Sequence, residues 1–134
     1  MNVLLSIKPE YAEKILSGEK LYEFRKSIFK NTSVNKVIIY ASSPTKKVIG
    51  EFEIECIISL ELEKLWKKTQ KYSGIEKSFY DQYFEGKNLG HAIKVKKVKR
   101  YKQQRELASY NVKFAPQSFI YIDGIDSSEA VLCP

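Results

Sequence analysis

The sequence predicts one α+β domain of about five to six mostly antiparallel strands, with a helix behind the first strand and a pair of helices inserted between two long strands. Three patterns predict it. From Glu51 onward, Phe52, Ile54, Cys56, Ile58, Leu60 and Leu62 share one parity while Glu51, Glu53 and Glu55 share the other, which marks a strand with a single buried face. Tyr11, Ala12, Ile15 and Leu16 recur instead at helical spacing, and residues 62–86 hold two further helical patterns separated by Ser73-Gly74. At 134 residues the chain has the length of one domain and can bury about two-thirds of its unfolded surface without staples.

In chain order, Val3 to Ile7 reads as the first strand. Pro9 takes the first helical position, where its missing N–H is no loss, and Gly18 suits the left-handed position that ends a helix. Because Lys8 and not a capping Ser or Asp precedes Pro9, the first N–H groups of this helix stand open to an anion. Next comes Glu19-Lys20-Leu21-Tyr22-Glu23-Phe24-Arg25, a strand that puts Leu21, Glu23 and Arg25 on one face and Tyr22 and Phe24 on the other. An exposed strand with a surface Glu–Arg pair, worth roughly 0–1 kcal/mol, fits that spacing equally well.

Asn31-Thr32-Ser33 with Asn35 reads as a loop of turn formers, and Val37 to Tyr40 as a buried strand closed by Ala41-Ser42-Ser43-Pro44. Polar groups at such a strand end often line a cleft, which makes Tyr40 and Ser42 candidate site residues. The carboxylates of residues 51–55 read as a solvated face. Leu62, Leu65, Trp66 and Thr69 mark one inserted helix, and Ile75, Phe79, Tyr83 and Phe84 mark another that ends at Gly86. Their aromatics are expected to pack on the sheet rather than stack on bases.

Strand character resumes at His91. Ile93, Val95 and Val98 face inward only if a β-bulge accommodates one extra residue around Lys96-Lys97. Leu107 to Tyr110 reads as a helical turn and Phe119 to Ile122 as the last strand, so the domain is expected over 1–123 with a flexible tail over 124–134.

Lys and Arg number 23 against 16 Asp and Glu, a net charge of +7 and a pI near 9.3 that favour phosphate-bearing partners. Lys94, Lys96, Lys97, Lys99, Arg100, Lys102 and Arg105 follow one another without a carboxylate between them, so basic charge concentrates on one element. Two cysteines, Cys56 and Cys133, form neither a disulfide framework nor a metal-ligand spacing, and a reducing, cytoplasmic setting is expected. No run approaches the ~20 apolar residues that span a bilayer, and the N-terminus has no signal pattern, so a soluble, unprocessed protein without a membrane partner is expected. His91 is the only histidine, which removes multi-His metal sites, and no phosphate-binding glycine loop is present. No metal or cofactor is expected.

Lys20, Glu23 and Arg25 behind Gly18 match the G-x-K-x-x-E-x-R signature of the ASCH domain, and Ser6-Ile7-Lys8-Pro9 followed by Ala12, Ile15 and Leu16 looks like its usual lead-in. The chain therefore resembles the ASCH family. The resemblance implies a PUA-like β-barrel and a nucleic-acid-related role, usually RNA binding, with a few small members acting as amidohydrolases on acetylated cytidine or as ribonucleases. In those amidohydrolases the signature Lys acts with a Thr three residues later and a Glu after the long strand. Here Glu23 stands in place of that Thr, and Thr69-Gln70-Lys71 lies opposite the Glu.

The resulting expectation is an RNA- or nucleotide-binding module. A carboxylate can accept from an exocyclic amine while a neighbouring guanidinium holds it in register, so Lys8, Lys20, Glu23, Arg25, Tyr40 and Ser42 would hold one base. The basic run 94–105 would track phosphates. A regulatory role with a protein partner is a further possibility. The alternative is a small hydrolase in which Lys20 is the catalytic base or nucleophile.

Overall fold

The computed structural model describes residues 1–31 and 33–122; the expected tail over 124–134 lies outside the described residues. Its strands are β1 (Asn2–Ile7), β2 (Tyr22–Arg25), β3 (Lys36–Ala41), β4 (Lys47–Glu61), β5 (Leu89–Arg105) and β6 (Phe119–Ile122). Helix α1 (Pro9–Ser17) follows β1, and α2 (Leu62–Thr69) and α3 (Lys77–Tyr83) lie between β4 and β5. All three helices occupy the segments where the periodicity placed them. Short 3₁₀ turns cover Gln70–Tyr72 and Leu107–Tyr110.

The six strands form one sheet in the order β2-β5-β4-β3-β1-β6. Only β1 and β3 pair in parallel; the other pairings are antiparallel. The expected closure into a barrel is not found: among the described residues the backbone ladder leaves β2 and β6 as edges. A side chain spans the gap instead. The Arg25 guanidinium on β2 donates to the Ser6 carbonyl on β1 at 3.4 Å, and to the carbonyl and hydroxyl of Ser118, just before β6, at 3.1 and 3.4 Å.

The main core lies between α1 and the inner face of the sheet, where Ala12, Ile15 and Leu16 meet Val3, Leu5, Ile39, Phe52 and Ile93. A second cluster forms where α2 and α3 cover Phe24, Ile58 and Ala92 with Leu65, Tyr80 and Phe84. A third packs Tyr40 with Leu4, Ile38, Val48 and Tyr101. Cys56 is buried in β4 and is not a free thiol, although the cysteine spacing showed no disulfide framework.

The bulge in β5 is present. Glu53 is in register with Lys96 but Glu51 with Lys99, and Lys97 sits at φ 49°. Ile93 and Val95 face the core, while Val98, expected inward, is 39% exposed. The irregularity turns Val98 out, and Tyr101 becomes the next buried residue of the strand. Of the β4 carboxylates, Glu55 is exposed as expected but Glu51 and Glu53 are half-buried. Burial would raise the Glu51 carboxyl, but hydrogen bonds from Lys36 and Tyr101 hold it below the usual range.

Candidate functional site

The C-terminal turn of α1 reverses the chain toward its own side: the Gly18 N–H reaches the Ile15 carbonyl at 3.2 Å and the Lys20 N–H the Lys14 carbonyl at 3.0 Å. This directs the Lys20 side chain inward, where it is only 2% exposed. Its Nζ donates to the Ser73 carbonyl at 2.6 Å and lies 4.8 Å from the Phe24 ring centroid and 5.7 Å from that of Tyr11. Burial pushes the ammonium down to about 8; Glu23 opposes the shift and Lys14 adds to it. Lys20 therefore stays mainly protonated at neutral pH.

Glu23 and Arg25, two residues apart on β2, share a face as their spacing requires. Arg25 Nη1 donates to Glu23 Oε2 at 3.1 Å, leaving the other carboxylate oxygen as an acceptor. Both side chains are largely buried. Lys8, Lys20, Glu23 and Arg25 line one cleft of about 250 Å³, whose apolar walls include Tyr11, Phe24, Phe79 and Tyr83. Lys8 is exposed, with Nζ 5.4 Å from the Phe79 ring centroid. A cavity of this size, with aromatic faces and a few convergent charges, suits one small planar group rather than a duplex.

A family model described as the ASCH domain matches residues 5–109. The chain belongs to the ASCH domain family. It is 36% identical over 124 residues to a protein named large ribosomal subunit protein uL22 of Ureaplasma parvum serovar 3, covering 90% of this chain and 39% of that one. It is 35% identical over 83 residues to the ASCH domain-containing ribonuclease of Zymomonas mobilis, covering 62% of this chain and 56% of that protein. The crystal structure of ASCH from Zymomonas mobilis superimposes with a TM-score of 0.82 at 28% identity, covering 91% of this chain and 87% of that one. The chain thus spans well under two-thirds of the length of either of these curated relatives.

Within this ASCH domain, two residues expected at the cleft are not among its walls. Tyr40 turns to the opposite face of β3, in the third cluster, beside a cavity it shares with Lys46 and Leu107. Ser42 lies in the turn after β3, its N–H donating to the Ile7 carbonyl and its own carbonyl accepting from Thr45 and Lys46. The start of α1 offers an anion less than expected. Pro9 has no N–H, and the N–H groups of Tyr11 and Ala12 already donate to the Lys8 carbonyl.

The basic strand of the ASCH domain divides in two. Lys94 pairs with Glu55 at 2.9 Å, Arg100 forms a two-pronged contact with Glu13 at 3.1 and 2.7 Å, and Arg105 donates to the Tyr110 hydroxyl while lying 3.8 Å over the Tyr101 ring. Lys96, Lys97, Lys99 and Lys102 are exposed around the bulge.

Sequence reading missed the contribution of the inserted helices. Phe84 packs in the core as expected, joined by Tyr80, which the pattern did not single out, whereas Phe79 and Tyr83, expected on the sheet, form a stripe that faces the cleft. The turn before α3 grips the Lys20 region: Tyr72 accepts from the Leu21 N–H at 2.9 Å, Ser73 from Lys20 Nζ and Gly74 from Lys14 Nζ at 3.2 Å. Gly74 stands at φ +70°, and a Cβ there would meet Lys20 Cβ at 2.6 Å. The doubled aromatic stripe on α3 was the available signal. No group of His, Cys, Asp and Glu suited to a metal is found among the described residues, and none of their helices is long and apolar enough to cross a membrane.

Proposed function

We propose that this ASCH domain binds single-stranded RNA or a nucleotide, holding one base in the cleft. The observation that carries the reading is the Glu23 carboxylate, buried in the cleft, fixed by Arg25 and flanked by the Lys20 ammonium and aromatic faces. Glu23 accepts from an exocyclic amine, Lys20 donates to a ring nitrogen or carbonyl oxygen, and the rings supply stacking. Lys8 meets the adjoining phosphate, and the exposed Lys96, Lys97, Lys99 and Lys102 attract the strand beyond it. Lys94, Arg100 and Arg105 contribute less because intramolecular partners engage them. On this reading residues 1–123 act as one PUA-like unit in the cytoplasm, alone or within a regulatory assembly.

A second reading, RNA cleavage, is favoured by the buried Lys20, brought close enough to neutrality to exchange a proton, and by the relative named a ribonuclease. Hydrolysis of an acylated nucleoside is weaker, since Glu23 replaces the Thr that such chemistry uses in the family. One experiment separates these. Labelled single-stranded RNA is titrated with wild type and Lys20→Ala while chain length and, with acetylated cytidine, released amine are followed. Binding that Lys20→Ala weakens, without turnover, is expected; turnover abolished by the substitution would make the domain a hydrolase, and no binding at all would overturn the reading.

A further inference from the structure

The aromatic wall of the cleft is also a wall of something else. Tyr11 and Phe79, with ring centroids 5.2 Å apart, and Ile75 line both the cleft and a second groove of about 360 Å³. The groove adds Lys14, Gln70, Glu10 and Glu76, none of which lines the cleft. Lys8 immediately precedes α1, and Tyr11 and Lys14 lie three apart within it. Lys8 Nζ sits 5.4 Å from the Phe79 centroid and lines only the cleft; Lys14 Nζ sits 6.0 Å from the Tyr11 centroid and lines only the groove. The partition is therefore an aromatic pair with a cation on each side.

We propose that the cleft and the groove together take two consecutive nucleotides of single-stranded RNA, their bases splayed to either side of the Tyr11–Phe79 partition. This rests on the reading of the cleft as a base site. Two carboxylates against one ammonium make the groove itself a poor phosphate site. They suit a base edge, whose exocyclic amine or ring N–H offers a donor to Glu10 and Glu76. The linking phosphate then passes over Tyr11 between Lys8 and Lys14, and each ring of the partition gives a face for stacking, a contact tolerant of sequence. Base identity is read in the cleft, where Glu23 and Lys20 are held rigidly, and the groove adds affinity.

The test compares 2′-O-methyl mononucleotides with the corresponding 2′-O-methyl dinucleotides, which resist cleavage through the 2′-oxygen, by calorimetry across a panel of bases. At least one dinucleotide is expected to bind about tenfold tighter than its mononucleotide. Gln70→Ala and Glu76→Ala, both confined to the groove, should remove most of that gain and leave mononucleotide affinity within about twofold. Mononucleotide binding with no dinucleotide gain, or a gain that survives both substitutions, overturns the two-nucleotide footprint and leaves the one-base reading standing. No binding of either ligand overturns both.

Discussion

The Lys20 ammonium donates a 2.6 Å hydrogen bond to the Ser73 carbonyl, a partner 53 residues away on the turn before α3. The loss of water around that ammonium, which the hydrogen bond does not offset, makes the stability of the fold depend on alkaline pH. The folded pKa, about 8, lies below the ordinary 10.5. Below pH 8 both states hold the proton and the cost of burying the charge is present in full. Between the two values the unfolded chain keeps a proton that the folded chain has released, so stability rises with pH. The unfolding free energy of wild type relative to Lys20→Met should rise by about 3 kcal/mol across this window. A difference that stays flat with pH contradicts the burial of a charged Lys20.

Arg25 carries two tasks, and its replacement exposes both. It neutralises Glu23 and ties β2 to Ser6 and Ser118 across the open side of the sheet. Arg25→Ala should cost about 3 kcal/mol in urea unfolding, because a largely buried carboxylate loses its partner. Arg25→Lys should rescue little of this, since one ammonium cannot reach the four acceptor atoms that the guanidinium fork spans. Adding Glu23→Gln to Arg25→Ala should restore part of the loss, and a double mutant no more stable than the single one would show that Glu23 is not stranded.

Gly74 offers a controlled comparison with Gly86. Both have positive φ, but a Cβ at Gly86 meets nothing within 4 Å, whereas at Gly74 it collides with the Lys20 stem. Alanine at either site should cost about 1 kcal/mol from backbone strain alone. Gly74→Ala should cost more and also displace Lys20, moving the ammonium titration seen by NMR back toward 10.5. Equal costs at the two sites, with Lys20 titrating unchanged, would contradict a gripping role for the turn.

Much of the fold was legible because its signals are local. Pro9, the stripe Ala12–Ile15–Leu16 and Gly18 define α1 within its own sequence, and the parity of residues 52–60 defines β4 without reference to its neighbours. The Glu23–Arg25 pair was legible for the same reason. The edges of the sheet were not, because whether β2 meets β6 is decided between residues almost a hundred positions apart. Tyr40 and Ser42 were misplaced because a strand end says nothing about which face its neighbours cover. Phe79 and Tyr83 joined the cleft, and Ser73 and Gly74 came against Lys20 and Lys14, through long-range packing that local pattern reports only as helix and turn.

The division of the basic strand is tested by salt. Each phosphate contact contributes roughly 0.7 to the log–log slope of affinity for a single strand. Lys97→Ala with Lys99→Ala should reduce that slope by about one, while Arg100→Ala should leave it nearly unchanged because Glu13 already holds that guanidinium. A larger loss from Arg100→Ala than from the lysine pair would reverse the division.

Recognition of a base by Glu23 is most directly measured as the affinity of wild type and Glu23→Gln for the monophosphates of cytidine, adenosine and uridine. The wild type should favour a base with an exocyclic amine, cytidine or adenosine, over uridine by about tenfold, a discrimination of roughly 1–3 kcal/mol. Glu23→Gln should erase that preference while retaining the fold. A wild type that binds all three alike, or a preference that survives Glu23→Gln, would contradict the account.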